Sequence, residues 1–351
     1  MIYINARFLS QNLTGVQRFA EEISLSLKKI RHDITFVAPK DIIRADIAEK
    51  LNVQVIGYLK GHLWEQIELP AFLRKNGSPL LLNLCSTAPI LYHNQIVTHH
   101  DVTYKRYPES YSKKFRFFYN SMVPLMIKNS HCLITVSEFS KNDISVAYSI
   151  QPEKIIVVPN AVSSDFLNLS EKEILFDRDY LLAVSSQAYH KNFHKLIEAF
   201  NGIQESNIKL KVVGGMSTGF SSQSFIESIN NKNIEFLGRI SDYELVNLYR
   251  GAIGFVFPSL YEGFGIPPLE AQSCECPVLS SNTASMPEVL GDSVIYFSPD
   301  SVVEIRQSIV RLINDEKLRK ELIKKGLINA KRFSWDESAQ RVDELINKIL
   351  N

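Results

Sequence analysis

Short apolar runs alternate with amphipathic stretches along the chain, and this alternation constrains the fold more than any other feature. The runs that we predict to be strands form two series, at 2–5, 34–38, 53–56, 80–84, 96–99, 132–136 and 155–158, and then at 180–185, 208–213, 234–237, 254–257, 277–279 and 294–297. Segments with helical spacing of apolar residues lie between them, such as 16–30, 137–148, 192–201, 242–250 and 303–314. Because strands that alternate with helices form parallel sheets, we predict an α/β protein with two doubly wound sheets.

A polar, irregular stretch separates the two series. Residues 161–179 include the run Ser163-Ser164-Asp165 and a charged run at 171–173, so we place the domain junction near 163–176. We predict an N-terminal domain at 1–165, a C-terminal domain at 166–335 and a final amphipathic helix at 336–351. Open parallel sheets bind ligands beyond the carboxyl ends of their strands, so two such domains predict an active site with two walls.

Composition and charge exclude several classes of protein. The 351 residues are 45% apolar and 22% charged, which fits a globular chain large enough for two domains. The formal net charge of +1 provides no global field for nucleic acid, so we predict no nucleic-acid partner. Cys85, Cys132, Cys274 and Cys276 lack CxxC spacing, which argues against a zinc site or a disulfide framework. With no signal-peptide pattern and no apolar run of roughly 18 residues, we predict a cytoplasmic protein.

The segment at 258–277 carries the strongest chemical signal. It places Glu262 and Glu270 on either side of a glycine turn and a Pro-Pro pair. Gly263 and Gly265 allow backbone N–H groups to approach an anion, and the prolines suit the start of a helix, whose first amides lack partners. The segment therefore predicts a diphosphate site with two carboxylates nearby for the hydroxyl groups of a nucleotide sugar.

This segment resembles the E-x7-E signature of the retaining glycosyltransferases of family 4 (GT4), and blocks in the family's order extend over most of the chain. The resemblance implies the GT-B fold, in which two Rossmann-like domains face a cleft and the last helix crosses back to the N-terminal domain. Within the family, the chain is most similar to bacterial enzymes that build O-antigen, capsule or lipopolysaccharide chains. The resemblance therefore implies transfer of a hexose, with GDP-mannose as the preferred donor, to a growing, lipid-linked saccharide acceptor.

The resemblance also implies roles for individual residues. Lys191 matches the pyrophosphate-binding lysine, Glu262 would hold hydroxyls of the donor sugar, and Glu270 would bind the ribose. Leu237 lies in the block that holds the nucleobase. The donor-binding residues implied in addition to Lys191 and Glu270 are Gly15, Leu237, Gly263, Phe264, Gly265 and Ile266.

Two further blocks lie in the first half of the chain. Gly15 follows the first strand and opens a helix, where backbone can approach a phosphate or sugar, although such a turn also occurs without a ligand. His100 and Asp101 end a strand and resemble the family's His-Asp pair. The resemblance implies a catalytic His100 that bonds a sugar hydroxyl, together with Lys191 and Glu262. Arg18 and Asp101 are assigned to the acceptor side, and Asp101 can alternatively orient the loop.

The chain departs from the family at one important position. Many members have an arginine where this chain has Ser185 or Ser186, so His190, Arg239 or backbone amides would have to compensate. No Asp-x-Asp pair ends a strand, and we therefore predict metal-independent catalysis with no cofactor. Lys191, the amides of 263–266 and the helix start would stabilise the leaving diphosphate instead.

Three alternatives remain open at this stage. The basic, aromatic stretch at 113–119 predicts either contact with the inner face of the cytoplasmic membrane or the outer face of an ordinary amphipathic helix. A nucleotide-sugar 2-epimerase shares the GT-B fold, although no acid and base can be assigned here. A non-catalytic, nucleotide-sugar-binding relative would be expected to lose Lys191, Glu262 and Glu270, and all three are present.

Overall fold

The computed structural model describes residues 1–167, 179–184, 188–203, 208–215 and 231–351. The described chain forms two compact units. Unit 1 consists of Met1–Val102, Ser112–Asn160 and Ser334–Asn351, and unit 2 consists of Thr103–Tyr111 and Ala161–Phe333. Residues 168–178, in which most of the predicted junction falls, lie outside the described residues.

Unit 1 contains a parallel sheet of seven strands in the order β3-β2-β1-β4-β5-β6-β7. The strands are β1 (Ile2–Asn5), β2 (Ile34–Ala38), β3 (Gln54–Val55), β4 (Leu80–Asn83), β5 (Gln95–Thr98), β6 (Cys132–Thr135) and β7 (Ile155–Val157). Every strand predicted in the first series is confirmed. The central strands are fully buried because helices cover both faces, which explains their continuous apolar sequence.

Unit 2 contains a parallel sheet of six strands in the order β10-β9-β8-β11-β12-β13. The strands are β8 (Tyr180–Val184), β9 (Lys209–Val213), β10 (Ile234–Gly238), β11 (Gly254–Phe257), β12 (Val278–Ser281) and β13 (Ile295–Phe297). The strands of the second series are confirmed as well, so the predicted pair of doubly wound sheets is correct. Leu181, Val256 and Leu279 on three of these strands form the core with Leu196 and Ile309 of the covering helices.

The α-helices are numbered along the described residues. They are α1 (Gly15–Ile30), α2 (Ala45–Leu51), α3 (Gly61–Leu63), α4 (Leu69–Lys75), α5 (Thr103–Arg106), α6 (Lys113–Lys128), α7 (Glu138–Tyr148), α8 (Ser164–Leu167), α9 (Phe193–Asn201), α10 (Asp242–Gly251), α11 (Ile266–Ser273), α12 (Met286–Leu290), α13 (Val302–Asn314), α14 (Glu316–Ala330) and α15 (Trp335–Leu350). A π-helical turn, Trp64–Glu68, joins α3 to α4, and short 3₁₀ turns occur at Arg7–Ser10, Pro108–Ser110, Pro152–Lys154 and Tyr189–Lys191. Within these residues, no helix combines the length and apolarity needed to cross a bilayer.

Helix α15 belongs to unit 1, where it packs along α1. Ser334 caps the helix by accepting the N–H of Glu337, and the Trp335 ring meets the edge of Phe19 at a centroid distance of 6.0 Å. Beside this contact the hydroxyl of Ser26 on α1 donates to Asp336 at 2.7 Å. The segment that follows unit 2 in the chain is therefore part of the core of unit 1.

In both sheets the strand order changes direction beside the first strand, so that successive strands are added first on one side and then on the other. In unit 1 the order extends from β1 to β3 on one side and from β4 to β7 on the other. In unit 2 it extends from β8 to β10 on one side and from β11 to β13 on the other. Open α/β sheets bind ligands at this switch point, beyond the carboxyl ends of the two strands. Each unit thus has one such position, between β1 and β4 or between β8 and β11.

Candidate active site

An ion pair between Lys191 and Glu262 lies at the switch point of unit 2. Lys191 ends the 3₁₀ turn that follows β8, and Glu262 lies in the loop that follows β11. The Lys191 Nζ and Glu262 Oε1 atoms are 2.7 Å apart, and the two side chains are only 16% and 13% exposed. The structure therefore brings together two of the three predicted catalytic residues, which are far apart in sequence.

Backbone hydrogen bonds join the loops that carry this ion pair. The N–H of Leu260 donates to the carbonyl oxygen of His190 at 2.7 Å, one residue before Lys191. On the other side of Lys191, the amide of buried Asn192 donates to the carbonyl oxygen of Pro258 at 3.0 Å. These hydrogen bonds join the two loops and fix the backbone positions from which the Lys191 and Glu262 side chains extend.

The glycine turn after Glu262 has a backbone that a side chain would strain. Gly265 has φ +91°, in the left-handed region, and immediately precedes α11. The hydroxyl of Ser285 donates to the carbonyl oxygens of Glu262 and Phe264 at 2.9 and 3.1 Å, which turns both carbonyls toward the protein. Because Pro267 and Pro268 have no backbone N–H, the donors that this loop can offer an anion are the N–H groups before them, in the glycine turn and at Ile266.

Glu270 lies inside α11 and is buried. The hydroxyl of Tyr249 on α10 donates to Glu270 Oε2 at 3.4 Å. Burial, reinforced by the negative charge of Glu270, raises the pKa of Tyr249 well above its usual value, so Tyr249 remains a hydrogen-bond donor. Glu270 follows Glu262 along the same loop and helix, as the resemblance implies.

Leu237, the residue predicted to lie near the nucleobase, is on β10, two strands away from β8 in the sheet. It is exposed on β10 and precedes Gly238, which has φ +68°. Arg239 follows, and a side chain at Gly215 would place its Cβ 3.1 Å from the Nε atom of Arg239. The absent side chain at Gly215 therefore leaves room for the guanidinium group at the carboxyl ends of β9 and β10.

His190 does not supply a second positive charge. Burial, with the charge of neighbouring Lys191 in addition, lowers the pKa of His190 to about 2, so its imidazole is neutral at physiological pH. Its Nδ1 atom lies 2.9 Å from the hydroxyl of Ser110, a residue of unit 2. Ser185 and Ser186, where the family's arginine is missing, lie outside the described residues. Among the predicted alternatives, Arg239 and the backbone amides remain.

His100 lies at the switch point of unit 1. It follows β5, is nearly buried, and its Nε2 atom lies 3.3 Å from the carbonyl oxygen of Leu84, just after β4. The ring of Phe19 on α1 meets it edge to face at a centroid distance of 5.0 Å. Burial lowers the pKa of His100 to about 4, although the charge of Asp101 opposes this shift. The imidazole is therefore neutral, and with Nε2 donating to Leu84, Nδ1 is left as an acceptor.

Gly15 and Arg18 lie at the start of α1. Gly15 is its first residue and is exposed, and the backbone N–H of Arg18 donates to the carbonyl oxygen of Thr14 at 2.9 Å. Helix α1 follows β1 through a 3₁₀ turn, so its amino end is at the carboxyl edge of the sheet. Gly15, Arg18, His100 and Asp101 thus all follow strands at the edge where ligands bind.

Sequence reasoning missed a buried polar cluster at the switch point of unit 1. The Nε atom of Arg7 donates to Glu65 Oε1 at 3.0 Å, and both side chains are almost fully buried. Burial opposes ionisation of Glu65, but Arg7, then His62 and Thr87, lower its pKa to about 2. The signal available in the sequence was weak, because a polar residue next to a buried strand is common. Across the described ranges, this cluster included, no group of three or more His, Cys, Asp or Glu side chains could hold a metal ion.

Two family models together match most of the chain. The model described as Glycosyltransferase Family 4 matches residues 13–166, and the model described as Glycosyl transferases group 1 matches residues 167–328. The O-antigen chain mannosyltransferase RfbU of Salmonella typhimurium is 30% identical to the chain over 315 residues, which cover 85% of this chain and 86% of that protein. The chain is a family 4 glycosyltransferase.

Other proteins are similar to this glycosyltransferase over shorter ranges or at lower identity. The O-antigen chain mannosyltransferase B of Escherichia coli is 29% identical over 254 residues, which cover 69% of this chain and 67% of that protein. The solved structure of Anabaena HepE in complex with UDP-glucose has a TM-score of 0.78 at 16% identity, with 99% of both chains covered. An identity this low shows the shared fold alone. The predicted GT-B fold of the glycosyltransferase is confirmed.

Proposed function

We propose that this glycosyltransferase transfers mannose from GDP-mannose to a growing, lipid-linked bacterial polysaccharide such as an O-antigen, capsule or lipopolysaccharide chain. The observation that carries the proposal is the Lys191–Glu262 ion pair beside the amino end of α11. It combines a cation and backbone donors for a diphosphate with a carboxylate for sugar hydroxyls. Two relatives are O-antigen chain mannosyltransferases by name, which supports mannose as the sugar and a polysaccharide as the acceptor.

The leaving group is the first requirement of the reaction. When the bond between the anomeric carbon and the diphosphate oxygen breaks, negative charge develops on the β-phosphate. Lys191 would leave Glu262 and pair with this phosphate, together with the N–H groups of the turn at 263–266. Glu262 would then accept hydrogen bonds from hydroxyls of the sugar, and Glu270 would accept those of the ribose. We therefore propose that the charge and donors of the site act without a metal ion or cofactor.

The acceptor would attack from the face that the diphosphate leaves, so that configuration at the anomeric carbon is retained. The acceptor oxygen forms the new bond to the anomeric carbon, and its proton passes to an oxygen of the departing diphosphate. His100, as a neutral imidazole, would accept a hydrogen bond from a hydroxyl of the transferred sugar through Nδ1. Gly15 would approach the donor, while Arg18 and Asp101 would serve the acceptor.

A lipid-linked acceptor requires access to the membrane surface. Helix α6 supports contact with the inner face of the cytoplasmic membrane, because its exposed side includes Lys113, Lys114 and Lys128 together with Phe117 and Leu125. The Phe117 side chain is 77% exposed, which is costly in water and favourable in the interfacial region of a bilayer. We propose a cytoplasmic enzyme that binds the anionic inner leaflet peripherally. Cosedimentation with anionic vesicles should fall when Phe117 is replaced by Ser.

Ligand-induced stabilisation tests the donor. Purified protein is heated with GDP, UDP, dTDP or ADP, or their sugars, with and without EDTA, because a ligand that binds only the folded state raises its apparent stability. GDP and GDP-mannose should stabilise the protein, and EDTA should leave the stabilisation by each of them unchanged. Stabilisation by a different nucleotide and its sugars would show that the donor is not GDP-mannose. Stabilisation that depends on added metal would contradict the proposal of a metal-free site.

A pair of lysine variants tests the diphosphate role. Lys191→Ala should weaken GDP binding by about 10-fold or more, since a charge-assisted hydrogen bond is lost. The matched control is Lys209→Ala. Lys209 is an ion-paired lysine at the start of β9, so it lies at the amino ends of the strands of the same sheet, away from the proposed site. Incubation of GDP-mannose without acceptor completes the test, because formation of an epimer would favour the 2-epimerase instead.

A further inference from the structure

The buried cluster at the switch point of unit 1 joins both strands that define it. Asn5 is the last residue of β1 and Asn83 is the last residue of β4. The Asn5 amide donates to Asn83 Oδ1 and to Glu65 Oε1, at 3.0 Å in each case. Glu65 comes from the π-helical turn between α3 and α4 and is completely buried. A carboxylate is thus built into the position where this kind of sheet binds ligands.

The charges inside the cluster compensate each other. Arg7 donates to Glu65 through Nε at 3.0 Å and to the hydroxyl of Thr87 through Nη2 at 2.7 Å. The Thr87 hydroxyl in turn donates to Glu65 Oε2 at 2.9 Å. Because Arg7 and Glu65 are both buried and bonded, neither is available to a charged ligand. The cluster therefore presents a polar, electrically neutral surface.

His62 is the member of the cluster that reaches solvent. Its Nδ1 atom lies 3.2 Å from Glu65 Oε2, and its side chain is 41% exposed. Since the ionised carboxylate can only accept, Nδ1 carries the proton, and a neutral imidazole then has its lone pair on Nε2. In the part of the chain that the structure describes, Nε2 has no hydrogen-bond partner. The ring of Phe118 packs against the imidazole at a centroid distance of 4.5 Å and fixes its plane.

We propose that His62 binds a hydroxyl group of the acceptor saccharide at the switch point of unit 1, and that Glu65 is the positioning residue that holds it. A lone pair on Nε2 accepts a hydrogen bond from a hydroxyl and repels an unprotonated phosphate oxygen. The compensated charges of Arg7 and Glu65 likewise favour a neutral sugar. The proposal rests on the proposed glycosyl transfer, for which it names a further acceptor-binding residue.

Tyr119 connects this cluster to a residue that the resemblance assigns to the acceptor. Burial raises the pKa of Tyr119 to about 12, with Arg7 opposing and the charges of Glu65 and Asp101 adding to the shift. The same phenol is therefore within electrostatic reach of both the cluster and Asp101.

Saccharide binding to matched histidine variants tests the proposal. Saturation-transfer NMR with methyl α-D-mannopyranoside and an α-linked mannobiose measures affinity for wild type, His62→Ala, His62→Gln and the control His32→Ala. His32 is an exposed histidine of the same unit. We expect His62→Ala to weaken saccharide binding about fivefold, the loss of one hydrogen bond, and His62→Gln to weaken it less. His32→Ala should bind as the wild type does.

The outcomes separate this proposal from the proposed function. GDP should stabilise wild type and all three variants equally, because His62 contacts no donor. If His62→Ala binds the saccharides as tightly as wild type, or if wild type binds neither saccharide while GDP still stabilises it, the proposal is overturned and the donor assignment stands. If GDP fails to bind while His62→Ala still weakens saccharide binding, the donor assignment fails and the role of His62 is supported.

The tautomer of His62 tests the positioning role of Glu65 without relying on binding. The ¹⁵N shifts of the His62 ring should identify the Nδ1–H tautomer in wild type. In Glu65→Gln, an amide that donates to Nδ1 should shift the population toward Nε2–H and weaken saccharide binding, while the His32 signals stay unchanged. An Nε2–H tautomer in wild type would refute the proposal.

Discussion

The ammonium group of Lys191 and the carboxylate of Glu262 are each other's ion-pair partners at 2.7 Å, in the loops that follow β8 and β11. Under the proposed function, a donor phosphate that binds Lys191 would compete with Glu262 for its ammonium group, and a carboxylate freed in this way would be available to the sugar. Donor binding and release of the carboxylate would thus be coupled.

Replacement of Glu262 by Gln should separate nucleotide binding from sugar transfer. The variant removes the competitor of Lys191, so GDP should bind with an affinity equal to or higher than that of wild type. GDP-mannose should lose this advantage, and transfer should fall about 100-fold or more because a group that acts on the reacting sugar is lost. Calorimetric titration with both ligands checks this, and an equal loss of affinity for GDP would contradict it.

A side chain at Gly265 should damage the loop more than the fold. Gly265→Ala forces a left-handed backbone on alanine, which should cost about 1 kcal/mol or more in free energy of unfolding. Gly77→Ala is the matched control, since Gly77 has φ +84° in the turn before β4 and open space around it. Thermal unfolding should show the larger loss in Gly265→Ala, because its Cβ would also collide with the end of the Met286 side chain, whereas Gly77→Ala should show the backbone cost alone. GDP binding should weaken only in Gly265→Ala. Equal GDP affinity in the two variants would argue against an anion at this turn.

His100 should make the protein less stable as the pH falls toward 5. Its pKa is about 4 in the folded protein and about 6.5 in an unfolded chain, so the unfolded state binds the additional proton between these values. Stability contributed by the neutral histidine is complete above about pH 6.5 and is lost as the pH is lowered toward 4. From pH 7 to 5 the free energy of unfolding should fall by about 2 kcal/mol more in wild type than in His100→Asn. Urea unfolding at the two pH values measures this difference, and parallel losses would contradict it.

Removal of Arg7 should expose the cost of a buried carboxylate. Arg7→Met leaves Glu65 buried without its cation and should lower the free energy of unfolding by about 3–5 kcal/mol at pH 7. Because the pKa of Glu65 then rises, protonation at lower pH should recover part of this loss. The control is the double variant with Glu65→Gln, which should be more stable than Arg7→Met alone. A single variant as stable as wild type would show that the ion pair does not support unit 1.

The sheets could be predicted from the sequence because each buried parallel strand is a local apolar run, and β1, β8 and β11 each lie within a residue of the predicted bounds. Lys191 and Glu262, 71 positions apart, could be assigned to one site only through the family resemblance, and their ion pair was not predicted. Arg7 and Glu65 are 58 positions apart, in a 3₁₀ turn and a π-helical turn that leave no periodic signal. Their meeting depends on the order of strands, which local sequence does not encode.

The location of α15 in unit 1 has a consequence for how the protein is made. Residues 334–351 are synthesised after all of unit 2, so the apolar face of α1 that receives Trp335 stays open to water while the ribosome completes unit 2. Unit 1 therefore cannot complete its fold before α15 has been synthesised. A nascent chain is therefore exposed to chaperones and aggregation through its first half until α15 has left the exit tunnel.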